Sequence, residues 1–225
     1  MHAAAIFDLD RTILAPPSSE RAFFRYLVSE RKLPLSSLGT LLEGVWRQLP
    51  HGLVALTKGN KYTWKGWSQE ALESAGRQCF DDLLRSRIYP DAVDLIAEHR
   101  AQGHRIVLLS GTLDLLLQPF AELLEVDHWI PSRLETDSRG RLTGSIVGAH
   151  PYGSGKRRAL LAAQRTHGID LQESWAYADD VSDVGVLSLV GHPVATNPSP
   201  ELARIATRLG WQCIRFDLTS SKRED

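Results

Sequence analysis

An aspartate that ends a buried strand is placed for nucleophilic chemistry, because its carboxylate points beyond the sheet into the crevice where α/β folds bind ligands. Asp8 stands in that place, in Asp8-Leu9-Asp10-Arg11-Thr12 directly after the apolar run Ala3 to Phe7. Such a carboxylate can attack phosphorus and form an aspartyl-phosphate; the same spacing also suits two aspartates that cap a turn. Ser110-Gly111-Thr112 closes a second apolar run. A hydroxyl and exposed backbone N–H groups ahead of a helix form a phosphate cradle, although Ser and Gly end many strands. Lys156 follows the Gly-rich stretch Tyr152-Gly153-Ser154-Gly155. Its ammonium can stand beside a phosphate or be a surface charge at a helix start, and the spacing does not match the nucleotide-cradling P-loop. Tyr177-Ala178-Asp179-Asp180-Val181-Ser182-Asp183 gathers three carboxylates within five positions. They repel one another unless a cation or a lysine neutralises them, so the stretch is either a hard-metal site or an acidic helix N-terminus.

The elements around these stretches explain how they can meet. Apolar runs of strand length occur at Ala3 to Phe7, Arg105 to Leu109, Ser174 to Ala178, Pro193 to Thr196 and Gln212 to Phe216. Helical periodicity marks Tyr89 to Gln102, Leu113 to Leu124, Gly155 to Thr166 and Pro200 to Arg208, with Gly103 as a left-handed stop after the first. This alternation predicts an α/β fold, a parallel sheet flanked by helices on both faces. It fails between Pro16 and Arg87, where helical patterns at Ser19 to Glu30, Leu35 to Gln48 and Gln69 to Ser86 have no strand between them. We therefore expect a core from residues 1–15 and 88–225 and an inserted all-helical subdomain over 16–87. Extended residues from Trp129 to Gly148 around the turn Asp137-Ser138-Arg139-Gly140 predict a small β-hairpin. Only the tail Ser220 to Asp225 reads as frayed.

Composition narrows the class. With 225 residues, 43% of them hydrophobic and 24% charged, the chain can bury a full core with one sizeable insertion. Its 26 Lys+Arg against 27 Asp+Glu leave a formal charge of -1, so no global field draws it to nucleic acid or an anionic membrane. Asp8 and Asp10 interrupt the first apolar run, and nowhere do enough apolar residues occur together to span a bilayer. Secretory and membrane readings drop out, and the expected location is cytoplasmic. Cys79 and Cys213 are too few for a disulfide framework and read as buried or incidental thiols.

The order of the four stretches is more informative than any one of them. Nucleophile, hydroxyl, lysine and acid pair, each at a strand-to-helix junction, resemble the haloacid dehalogenase superfamily over roughly residues 3 to 197. That resemblance implies a Rossmann-like core and Mg²⁺-dependent phosphoryl transfer. The helical insertion after the first motif is similar to a type 1 cap, and His104 to Gly144 to the phosphoserine-phosphatase-like branch. The resemblance casts Asp8 as nucleophile and Asp10 as the general acid/base that protonates the leaving oxygen and then activates water. It casts Ser110 and the Gly111 N–H as phosphate donors, and Lys156 as the lysine that neutralises nucleophile and phosphate. The Asp8 carboxylate, the Asp10 carbonyl and Asp179 would hold Mg²⁺, with Asp183 supporting the metal through water or orienting Lys156. Asp180 falls where the branch often has Ser or Gly, and is taken with Asp183 as an outlying acid of the metal site.

The function expected is a Mg²⁺-dependent phosphatase acting on a small phosphorylated metabolite. A phosphomutase or phosphotransferase uses the same residues, a non-catalytic phospho-ligand module clusters similar ones, and a dehalogenase does not need the acid that Asp10 supplies. Substrate choice is assigned to the insertion, where Arg47, Lys58, Lys61 and Lys65 interleave with Trp46, Tyr62, Trp64 and Trp67. These line a site for a charged organic group or else form cap core with a solvated basic face. Ala15-Pro16-Pro17 replaces the acid that commonly meets the amino group in phosphoserine phosphatases, and Glu20 lies three positions further on. His99, His104, His128, His150, His167 and His192 show no ligand spacing.

Overall fold

The computed structural model describes residues 1–32, 62–148 and 150–219. Six strands form one parallel sheet in the order β3-β2-β1-β6-β7-β8. They are β1 (Ala4–Phe7), β2 (Arg105–Leu113), β3 (His128–Ser132), β6 (Trp175–Ala178), β7 (His192–Thr196) and β8 (Gln212–Ile214). The fold is α/β, as the alternation predicts, and Rossmann-like, as the resemblance implies. β4 (Leu134–Thr136) and β5 (Leu142–Ile146) make a separate antiparallel pair.

Successive residues of the central strands serve opposite faces, which is why the runs are apolar throughout rather than alternating. Ala5 and Phe7 of β1 join a core built with α3 (Pro90–Ala101) and α4 (Asp114–Leu123). Ala4 and Ile6 face the other way, against α5 (Ser154–His167), α6 (Val184–Leu187) and α7 (Pro200–Leu209). The first core continues into the insertion through Phe23 and Leu27 of α1 (Ser19–Ser29) and Leu72 and Cys79 of α2 (Gln69–Cys79).

Three features depart from the expected elements. His128–Ser132 is a sixth strand of the main sheet rather than part of the hairpin; it is an edge strand, where Pro131 removes no ladder bond that the fold requires. The helix expected to run to Ser86 ends as α2 at Cys79, widens into a π turn at Phe80–Leu84 and tightens into a 3₁₀ turn at Arg85–Arg87. Tertiary contacts override local propensity there: Tyr26 donates to Asp82 at 2.7 Å, and Arg87 turns back to the carbonyls of Ala15 and Pro17. The hairpin is not free-standing. Leu142 exchanges main-chain hydrogen bonds with Gly66 and Trp67, so β5 props up the insertion.

The segments leading into and out of the insertion run side by side. Leu14 bridges Ile88 antiparallel, and the Ala15 N–H donates to the Arg87 carbonyl at 2.9 Å. The expected helix Leu35 to Gln48, the residues Trp46, Arg47, Lys58 and Lys61, and the tail Ser220 to Asp225 lie outside the described residues. Trp64 is buried against Phe23, with centroids 5.4 Å apart, and Trp67 packs edge-on to Trp64. Trp64 is therefore core of the insertion. Cys79 is buried and Cys213 exposed, and neither is in a disulfide. Among the described residues no helix is long and apolar enough to cross a membrane.

Candidate active site

β1 delivers Asp8 to the carboxyl edge of the sheet, where its N–H donates to the Tyr177 carbonyl of β6 at 3.0 Å. The chain then folds back at once. The Leu9 carbonyl accepts from the N–H groups of Thr12, Ile13 and Leu14, which holds Asp10 beside Asp8. One Asp10 oxygen accepts from the Ser19 N–H at 2.6 Å and the other from the Thr112 hydroxyl at 3.4 Å. Burial, against the Ser19 hydrogen bond and with Asp8 adding repulsion, pushes the Asp10 carboxyl up to about 6.

β2 carries Ser110-Gly111-Thr112 to the same edge. Ser110 donates to the Thr112 hydroxyl at 3.2 Å, and Thr112 in turn lies 3.1 Å from the Ser19 hydroxyl. Gly111 is packed from above: a Cβ there would come within 3.3 Å of both the His150 ring and the Pro151 carbonyl. Its carbonyl accepts from Ser132 at 2.7 Å, and Ser132 also meets His150 Nδ1 at 2.7 Å.

The Gly-rich stretch before Lys156 has a steric cause. A Cβ on Gly155 would stand 1.9 Å from the His150 carbonyl, so only glycine lets α5 begin that close to the loop before it. The first turn of α5 then aims Lys156 inward, where it is 4% exposed. Its Nζ lies 2.9 Å from Asp8 Oδ1 and 2.8 Å from Asp183 Oδ1. Burial alone would lower the lysine, but the two carboxylates outweigh it and hold it above its ordinary value.

β6 ends at Ala178, and the acidic stretch after it separates by role. Asp180 turns away to accept from the N–H and hydroxyl of Ser182, capping the short turn Val181–Asp183. Asp179 and Asp183 turn inward, and with Asp8 each offers a carboxylate oxygen within 4.8 Å of the others. Burial first, then Asp8, pushes Asp179 up to about 8 even though Arg11 Nε lies 3.3 Å from it. Burial also raises Asp183, to about 6, against the pull of Lys156. Three clustered carboxylates share two cations, Lys156 and Arg11, and hard oxygen donors gathered in this way fit Mg²⁺.

All four stretches singled out in the sequence converge here, except that Asp180 serves the backbone. Ser19, Arg11, Ser132 and His150 enter the arrangement without having been marked. Ser19 alone had a local signal, its place at a helix start; the others depend on contacts between distant segments. Among the described residues the histidines build no metal cluster: His99 and His104 pair at 2.8 Å, and His128 stacks on His167. A groove of about 560 Å³ between α3 and β6–β8 contains none of the clustered carboxylates, so volume does not locate the site.

Known proteins resemble this chain in sequence and in fold. A probable phosphatase of Mycobacterium tuberculosis (strain H37Rv) is 30% identical over 229 residues, covering 98% of this chain and 78% of that one. A histidinol-phosphatase of Neisseria meningitidis is 28% identical, covering 96% of this chain and 100% of that one. Among solved structures, a phosphoserine phosphatase in its apo form superposes with a TM-score of 0.66 at 19% identity, over 95% of this chain and 94% of that one. The model of the haloacid dehalogenase-like hydrolase family matches residues 5–188, and the chain belongs to that family.

Proposed function

We propose that the chain is a Mg²⁺-dependent phosphomonoesterase that hydrolyses a small phosphorylated metabolite through an aspartyl-phosphate on Asp8. One observation carries the reading: a lysine amine buried between Asp8 and Asp183 in a cluster of three carboxylates, all at the carboxyl edge of one sheet. Burying that much charge has no structural benefit that a hydrophobic cluster would not match. It serves a reaction in which an anion attacks an anion.

In this reading Asp8 attacks phosphorus and the ester P–O bond breaks, while Asp10 gives its proton to the departing alkoxide oxygen. Asp10, then a carboxylate, takes a proton from a water that attacks the same phosphorus. The acyl-phosphate bond breaks, releasing inorganic phosphate and restoring Asp8. Ser110 and the Gly111 N–H hold phosphate oxygens, and Lys156 keeps Asp8 and the phosphate from repelling each other. The Asp8 carboxylate, the Asp10 carbonyl and Asp179 would hold Mg²⁺, whose charge would offset that of the phosphoryl oxygens. Asp183, 2.8 Å from the same amine, holds Lys156 beside Asp8.

Residues 16–87 act as a cap over a core of residues 1–15 and 88–225, and decide which ester enters. The names of the relatives support a phosphatase rather than a mutase, and the composition supports a cytoplasmic location without nucleic-acid or membrane partners. The test is release of p-nitrophenol from p-nitrophenyl phosphate with Mg²⁺ and after EDTA dialysis. Turnover that needs Mg²⁺ and does not need an acceptor sugar is the expected result. Binding of phosphate without turnover would favour the non-catalytic module instead.

A further inference from the structure

Arg11 sits between the two aspartates' turn and the acidic cluster, and its backbone is in an unusual place. Its φ is 65°, in the left-handed region where a side chain costs energy and glycine does not. The conformation is held from a distant strand: Asn197, just after β7, donates its side-chain amide to the Arg11 carbonyl at 3.0 Å. Two residues on, the Ser199 N–H donates to the Asp179 carbonyl at 2.8 Å. One loop therefore fixes the backbones of both partners, and between them the guanidinium Nε reaches Asp179 Oδ2 at 3.3 Å. The pair is asymmetric: the Asp179 side chain is 6% exposed and that of Arg11 49%. The carboxylate is fixed, whereas the guanidinium has solvent to move into.

We propose that Arg11 is the resident counter-ion of Asp179, which an incoming divalent cation must displace, so that this one side chain sets how tightly the metal binds. The proposal rests on reading the acidic cluster as a metal site. Glycine at position 11 would relieve the backbone strain and leave Asp179 uncovered; arginine accepts the strain and covers it. Metal uptake is then an exchange of one cation for another, with the guanidinium released toward the mouth of the site. Lys156 cannot take this part, since it is buried and held by two other carboxylates.

The test is calorimetric titration of Mg²⁺ into the substrate-free, EDTA-stripped full chain. A pair with one half-exposed member shifts a competing equilibrium by about fivefold. Arg11→Asn, whose side chain tolerates the left-handed region, and Arg11→Gly are both expected to bind Mg²⁺ about fivefold more tightly than wild type. Arg11→Lys keeps the charge and is expected to stay within about twofold of wild type. The gap between Arg11→Asn and wild type should narrow as KCl is added. Equal affinity in wild type, Arg11→Asn and Arg11→Gly would overturn the proposal and leave the metal site standing. Tighter binding in Arg11→Gly alone would also overturn it, since strain rather than charge would then be responsible. No Mg²⁺ binding by any of the proteins would overturn the metal reading, and this proposal with it.

Discussion

The backbone N–H of Ser19 donates to Asp10 Oδ1 at 2.6 Å, so the first residue of the insertion's first helix holds a carboxylate that belongs to the turn after β1. A helix N-terminus is a natural partner for an anion. Here it ties the placement of Asp10 to the seating of α1, and a Ser19–Thr112–Ser110 chain of hydroxyls extends that tie to the second motif.

Ser19→Pro separates this bond from the helix. Proline is tolerated at the first helical position, and Ser18 already has the extended ψ of 154° that a following proline requires. The substitution removes the N–H, and Ser19→Ala removes only the hydroxyl. Loss of a hydrogen bond to a charged group is worth about 1.5–3 kcal/mol, so steady-state kinetics on p-nitrophenyl phosphate should show kcat reduced at least about tenfold in Ser19→Pro. Ser19→Ala should stay close to wild type. Equal kcat in the two variants would mean that the bond does not position Asp10.

Lys156→Met leaves Asp8 and Asp183 buried without their shared cation. Removing one partner from such a cluster costs about 3 kcal/mol or more, which urea unfolding of the EDTA-treated protein should detect. Activity should fall by at least about a hundredfold, since a phosphate dianion then meets uncompensated carboxylate charge. A variant with the stability and turnover of wild type would remove Lys156 from the account.

His99 predicts a pH dependence remote from the site. Its ring is 4% exposed, with Nε2 2.6 Å from the Tyr177 hydroxyl, and burial, aided by His104, lowers it to about 4. Because its folded value lies below the unfolded value of about 6.5, the unfolded chain binds the extra proton between pH 6.5 and 4. Stability from this group is therefore full above pH 6.5 and is lost as pH falls toward 4. Asp10, Asp179 and Asp183 act in the opposite sense, since their folded values are raised. The informative quantity is thus the difference between wild type and His99→Gln. The urea midpoint of wild type should fall more steeply than that of the variant over this window, and parallel curves would refute the assignment.

The residues legible in advance were those whose meaning is local. Asp8, Ser110 and Asp179 each follow a buried apolar run, and Lys156 follows a Gly-rich helix start; such signals can be read from a dozen residues. What was not legible depended on meetings between distant segments. Arg11 looks like an ordinary residue following two aspartates until Asn197 and Asp179 close around it. Asp179, Asp180 and Asp183 are chemically alike in sequence; only the tight turn sends the middle one to Ser182 and the outer two inward. His128–Ser132 does not read as a sheet strand in the sequence because an edge strand containing proline lacks the continuous apolar run of its neighbours.

The central claim is that Asp8 is phosphorylated and that Asp10 governs its release. Asp10→Asn isolates the first half: p-nitrophenol is a good leaving group that needs little protonation, whereas water attack on the acyl-phosphate still needs a base. Mixing this variant with p-nitrophenyl phosphate and Mg²⁺, quenching in acid and mapping peptides by mass spectrometry should find one phosphoryl group on Asp8, with a burst of p-nitrophenol and slow turnover thereafter. An unmodified Asp8 peptide without a burst, from a protein whose wild type turns over, would contradict the account.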